Sequence, residues 1–136
     1  MKRSLKLGLA AASAAAVIFG TSAPVQASSN LGWLYTVGAS GGVFFDADLN
    51  GYPNVEKITV CDNRSDGRGL IGRLYFDGIT GNGDGLIDWI KDPSNDGACT
   101  SMAYNMIAEE TPVKVEVCEY MGSSERLNCA IGFARA

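Results

Sequence analysis

The sequence predicts an all-β fold, a small antiparallel β-sandwich held by two disulfides. Three observations predict it. Short apolar or alternating runs, spaced by roughly the eight to twelve residues typical of sandwiches and barrels, fill the chain from residue 28 onward. Clusters of Gly, Asn and Asp separate them, among them Arg64-Ser65-Asp66-Gly67 and Gly81-Asn82-Gly83-Asp84-Gly85. Such residues form tight turns, because glycine takes positive φ freely and Asn and Asp bond their own backbone. The third observation is an even set of four cysteines, Cys61, Cys99, Cys118 and Cys129.

Residues 1–27 read as a secretory signal peptide. Lys2, Arg3 and Lys6 precede a small and apolar stretch from Leu7 to Gly20, and Val25-Gln26-Ala27 offers a cleavage site before Ser28. Removing 27 of the 136 residues leaves 109, and the loss of three cations takes the net charge from −4 to −7. Residues 28–136 are then one secreted, extracellular domain, with no lipid-bearing cysteine near the cleavage site. A monomer is expected.

Strands are expected near 31–37, 42–47, 55–62, 69–77, 86–91, 101–108, 112–120 and 127–134. Two carry the clearest signal. Ile58 and Val60 alternate with Lys57, Thr59 and Cys61, and Val113, Val115 and Val117 alternate with Lys114, Glu116 and Cys118. That period of two gives one buried and one wet face. Ser101–Glu110 is open between a strand and a short helix, since Met102, Met106 and Ile107 recur with near-helical spacing before Pro112. The aromatic rings, Trp33, Tyr35, Phe44, Phe45, Tyr75, Phe76, Trp89 and Tyr104, are expected mainly in the core, the alternative being a carbohydrate-binding face, and Trp89 beside the second calcium-like loop is the ring to watch.

Exported chains meet an oxidising environment, so the cysteines read as disulfides rather than as metal ligands or reactive thiols. No C-x-x-C occurs, and no Lys or Arg adjoins any of the four. Four cysteines allow three pairings. A hairpin turn centred on Ser123-Ser124 would set Cys118 directly across from Cys129, at a Cα separation of about 4.5–5.5 Å that a disulfide accepts. Cys61–Cys99 is the remaining bridge. This register opposes Ile131 to Glu116 and Phe133 to Lys114, and gives the valine face only Ala130, Gly132 and Ala134. A bulge near Gly122 or Gly132 would repair the mismatch.

Several functions are excluded. Without histidine there is no Ser-His-Asp or Cys-His catalysis and no histidine-bound zinc. An acidic chain is a poor nucleic-acid binder. No apolar run after the signal approaches the ~20 residues of a membrane-spanning helix. Carboxylate-based glycoside hydrolysis needs no histidine, but with 15 acids some pair is always close.

Two segments have the oxygen-rich alternation of calcium loops. Asp46-Ala47-Asp48-Leu49-Asn50-Gly51 matches only the first half of such a loop. Asn82, Asp84 and Asp88 form the better candidate metal set, with Gly85 at the bend. Lys91 stands where a bidentate acid would close the site, so weak calcium binding is the most this loop supports, and no other cofactor is expected.

The run Ile58-Thr59-Val60-Cys61-Asp62-Asn63-Arg64-Ser65-Asp66-Gly67-Arg68-Gly69 resembles a pattern in small secreted actinobacterial proteins. Further matching features are Cys99 in a Gly/Asp-rich loop, Glu110-Thr111-Pro112-Val113 leading into a V-x-V-C strand, and Cys129 at the end. The resemblance spans about residues 55–130. It implies an exported β domain with the same two bridges and no assigned activity. The expected function is a binding or structural extracellular module whose partner is an extracellular protein or polysaccharide. The alternatives are a secreted protease inhibitor, presenting residues 121–126 or 63–69, and a carboxylate-dependent glycoside hydrolase.

Overall fold

Eight strands alternate their side chains between a shared interior and two outer faces. In a computed structural model that describes residues 28–77, 85–93 and 96–136, they are β1 (Leu31–Tyr35), β2 (Gly41–Asp46), β3 (Glu56–Asp62), β4 (Gly69–Phe76), β5 (Leu86–Asp92), β6 (Thr100–Tyr104), β7 (Pro112–Met121) and β8 (Ser124–Arg135). They form two four-stranded antiparallel sheets, ordered β1-β2-β3-β6 and β5-β4-β7-β8. No helix occurs among the described residues. The signal-peptide reading of residues 1–27 lies outside them, as do Asn82 and Asp84.

The core is aliphatic. Val43, Phe45, Ile58 and Val60 from the first sheet meet Leu70, Leu74, Val113, Val115 and Val117 from the second, all fully buried or within 1% of it. Burying each such side chain contributes roughly 1.5–3 kcal/mol, so the core as a whole outweighs either disulfide at about 3–4 kcal/mol. Gly72 lets the layers close: a Cβ there would stand 2.7 Å from Val60 Cγ2 and 3.2 Å from Val43 Cγ2.

Both predicted bridges form. Cys61–Cys99 has a Cα separation of 4.4 Å and Cys118–Cys129 one of 4.2 Å. Each sits on the outer face of a sheet, because Cys61 and Cys118 alternate with inward-facing valines.

The β7–β8 hairpin keeps the mismatched register in full. Glu116 opposes Ile131, Lys114 opposes Phe133, and Val115 opposes Gly132. The small residues have a purpose, since a Cβ on Gly132 would lie 2.9 Å from Leu31 Cδ2. β1 therefore fills the room that Ala130, Gly132 and Ala134 leave. The turn itself is one residue earlier than expected. Met121 pairs with Ser124 around Gly122-Ser123, with Gly122 at φ 59°. Two extra residues in β8, Arg126 at φ 82° and Asn128 at φ 51°, restore the cysteine register by bulging. The bulges fall in neither place the sequence suggested.

Glu119 ties this hairpin to the other sheet. Its fully buried carboxylate accepts from Ser40 Oγ at 2.5 Å, Arg68 Nη1 at 2.5 Å and Asn128 Nδ2 at 2.8 Å. Burial pushes the Glu119 carboxyl up, but these three donors outweigh it and hold the group below the usual carboxylate range.

Elsewhere the boundaries move by one or two residues, except at the start of β8, three residues earlier than expected, and at β6. It stops at Tyr104, well short of 108, because Tyr104 opposes Glu56, the first residue of β3. Beyond that point the Met106 amide donates to the Glu56 carboxylate at 2.6 Å instead of to a neighbouring strand. The first calcium-like segment closes as a tight turn: Leu49 bridges Tyr52, and Gly51 takes φ 86°.

Candidate functional site

β4 carries an arginine in the middle of an apolar run, Leu70-Ile71-Gly72-Arg73-Leu74-Tyr75. Alternation turns Leu70, Gly72 and Leu74 inward, so Ile71, Arg73 and Tyr75 belong to the outer face of the second sheet. The neighbouring register sets Trp89 beside Arg73 and Lys91 beside Ile71 on β5, and Glu116 beside Arg73 on β7. A charge is thereby brought to the centre of a four-stranded face.

Its partners are two glutamates. Arg73 Nη1 donates to Glu116 Oε1 at 3.1 Å, and Nη2 donates to Glu125 Oε2 at 2.6 Å. The Arg73 and Glu116 side chains are 9% and 10% exposed, so that contact is shielded from water, whereas Glu125 is 35% exposed. Glu125 also accepts from Lys91 Nζ at 2.5 Å. Bulges bend a strand and raise its twist, and Glu125, one residue before the first bulge, reaches from β8 across to cations on β4 and β5. The Lys91 ammonium, opposed by burial and helped by Arg73, holds the Glu125 carboxyl below its ordinary range.

Aromatic rings frame the charges. Lys91 Nζ lies 4.5 Å from the Tyr120 ring centre and 5.5 Å from that of Trp89, and Lys114 Nζ lies 4.6 Å from that of Tyr75. Tyr75 donates to Glu116 at 3.4 Å and accepts from Arg126 at 3.2 Å. Burial first, and the Glu116 charge second, push the Tyr75 phenol up. Ile71, Arg73, Leu86, Trp89, Lys91 and Glu125 enclose an open cavity of about 260 Å³. Trp89 is 50% exposed and Leu86 48%, so one wall is apolar and faces solvent.

Chemically, this arrangement suits recognition. Glycoside hydrolysis by paired acids requires one of them to donate a proton. Glu125, held below its ordinary range, is not suited to be that donor, and it shares the Arg73 guanidinium with Glu116.

Of the sequence-predicted metal residues, only Asp88 is described. Its half-buried carboxylate faces away from Trp89. It accepts from the Tyr104 hydroxyl of the first sheet and from the Trp89 amide at 2.7 Å. The four predicted cysteines pair as expected, and none lines the cavity. Most of the rings expected in the core are on the surface. Phe45 and Tyr75 are buried, whereas Trp33, Tyr35, Phe76, Trp89 and Tyr104 are 40–50% exposed. Trp33 also neighbours Tyr35 and Phe44 on the opposite outer face, at centroid distances of 6.3 and 5.7 Å. Aliphatic residues already fill the space between the sheets, which leaves no room for more rings.

Arg73, Lys91, Glu116 and Glu125 were not singled out as site residues from the sequence. A signal was available: an arginine inside an otherwise apolar strand needs buried acids as partners. No family model, no curated protein and no solved structure matches this chain.

Proposed function

We propose that this chain is an exported binding module that recognises an extracellular partner through the outer face of β5-β4-β7-β8. One observation carries the reading. The cavity beside Arg73 combines an exposed apolar wall, Trp89 and Leu86, with convergent charged groups already fixed by their own contacts. Small pockets of that composition are the usual sites of recognition. Two disulfides fit an oxidising compartment.

Binding is favoured over catalysis because the acid pair shares Arg73. It is favoured over protease inhibition because charged side chains of the two exposed candidate loops are tied to the domain itself. In 63–69, Arg64 donates to Gly38 O at 2.8 Å and Arg68 to Glu119. In 121–126, Glu125 and Arg126 reach back to the sheet.

The test is sedimentation or capture of oxidised protein with washed cell-wall polysaccharide and with total secreted protein. Wild type is expected to bind at least one fraction. Trp89→Ala with Lys91→Ala should abolish that binding, while Trp33→Ala, on the opposite face, should not. Absence of wild-type binding to both fractions overturns the proposal, as does loss confined to Trp33→Ala.

A further inference from the structure

We propose that the cavity beside Trp89 takes one uncharged pyranose ring of an extracellular polysaccharide, its C–H face on the indole and its hydroxyl edge toward Glu125, Lys91 and Arg73. The inference rests on the binding reading above and names its ligand.

Size comes first. About 260 Å³ lies just below the ~300–1,000 Å³ of sites for drug-sized molecules. One small ring fits, and the open mouth lets a chain continue on either side. A folded protein surface would need a broad flat patch instead of a single hollow.

The lining is divided in the way a sugar ring is divided. Leu86, Trp89 and the stem of Ile71 supply an apolar wall, and Trp89 keeps half its surface in solvent. The C–H groups on one face of a pyranose carry slight positive charge and suit the negative face of an indole. Beside the indole stand Arg73, its cross-strand neighbour, and Lys91, whose Nζ is 5.5 Å from the ring centre, as donors, with Glu125 as acceptor. A row of hydroxyls, each both donor and acceptor, can address all three.

Charge decides against ionic ligands. Arg73 and Lys91 are balanced by Glu116 and Glu125, with contacts of 2.5–3.1 Å. An anionic sugar would have to compete with the Glu125 carboxylate for both cations, and a cationic one would meet Arg73 and Lys91 before Glu125. A neutral polyol leaves those ion pairs intact. Their geometry also pre-orients the polar groups, which lowers the ordering cost of binding.

The experiment is affinity electrophoresis of the oxidised full-length secreted protein through gels holding soluble neutral glucan, mannan or galactan, polygalacturonate, or chitosan oligomers. At least one neutral polymer should retard the wild type, equally at low and high salt, because no net charge is exchanged. Trp89→Ala should weaken this at least tenfold, Trp89→Phe should retain part of it, and Trp33→Ala should match wild type. Trp89 is half exposed, so its replacement leaves the fold intact, as an unchanged melting temperature would verify. Retardation only by the charged polymers, or equal loss in Trp33→Ala, overturns the neutral-sugar assignment. No retardation by any polymer overturns it too. If Trp89-dependent capture of secreted protein then persists, the binding module stands without a sugar ligand; if that capture also fails, both fall.

Discussion

The backbone amide of Asp62 donates to the Asp92 carboxylate at 2.8 Å, joining the last residue of β3 to the last residue of β5 across the two sheets. Both side chains are buried, at 4% and 2% exposure, and Asp62 Oδ2 has no hydrogen-bond partner. Asp62 Oδ1 accepts from the Arg64 amide at 3.0 Å, which starts the turn into residues 63–69. Burial above all, and then the charges of Asp92, Asp66 and Glu119, push the Asp62 carboxyl up, against the pull of the Arg64 amide.

Asp62→Asn should therefore stabilise the protein at neutral pH. The amide keeps the Oδ1 contact to Arg64 and removes a charge from an acidic, poorly solvated place. An acid whose folded pKa is raised is destabilising when ionised, fully so above the folded value and not at all below the unfolded value of 3.8. The expected gain is about 1 kcal/mol at pH 7, and it should vanish as pH falls below that unfolded value. Urea unfolding at neutral and acid pH measures both. A loss of stability at pH 7 would mean the charge is needed.

Glu119 should behave in the opposite sense. Its folded pKa is depressed, so its contribution is present above its unfolded pKa and is lost as pH falls through the folded one. Glu119→Ala takes the carboxylate from buried Ser40 Oγ, which keeps only its contact to Thr36 Oγ1, and from Asn128 Nδ2, which water can reach. It should cost about 2 kcal/mol at pH 7, from the lost Ser40 and Arg68 bonds to a charged group. Glu119→Gln retains some of these contacts and should cost less. Denaturant midpoints across the acid range should show the gap between wild type and Glu119→Gln closing toward low pH.

These two acids show how far the sequence could be read. Ile58, Val60, Val113, Val115 and Val117 are buried as their alternation requires. The same alternation gave the inward side of β3 to Glu56 and Asp62 as well, which composition alone would assign to solvent. Equal distances from a turn at Ser123-Ser124 predict the Cys118–Cys129 pair, but the turn lies one residue earlier and two bulges in β8 restore the register. Neither bulge was visible in advance, since Arg126 and Asn128 are ordinary strand-edge residues until Asn128 is needed by Glu119. The candidate site was harder still. Only Trp89 was marked, because Arg73, Lys91 and Glu125 come from three strands whose adjacency depends on sheet order, and sheet order is a long-range property.

Calcium should have little influence on folding. Asp88 is taken up by Tyr104 and by the Trp89 amide, and Lys91 is engaged by Glu125. A weak site occupied at its Kd adds RT ln 2, about 0.4 kcal/mol, equivalent to roughly two to three degrees of melting temperature for a domain of this size. Thermal unfolding in excess chelator and then in calcium should differ by no more than that. A shift above about ten degrees would establish a tight site.

Gly72 gives the most direct test of the sandwich core. It sits inward on β4 where the sheets approach, and a methyl there would meet Val60 Cγ2 at 2.7 Å, Val43 Cγ2 at 3.2 Å and Ile58 Cδ1 at 3.5 Å. The first distance is shorter than two carbon atoms tolerate, and Val60 is fully buried with no free space to turn into. Gly72→Ala should cost about 1–3 kcal/mol through overpacking, despite the backbone entropy that alanine ordinarily gains over glycine. Val60→Ala alone should also destabilise, by leaving a cavity. Combined, the two should be less damaging than their sum, because the added methyl occupies part of the space the valine gave up. Denaturant unfolding of the two single variants and the double variant measures this coupling. Strict additivity would mean the two sheets can slide apart at Gly72 without involving Val60.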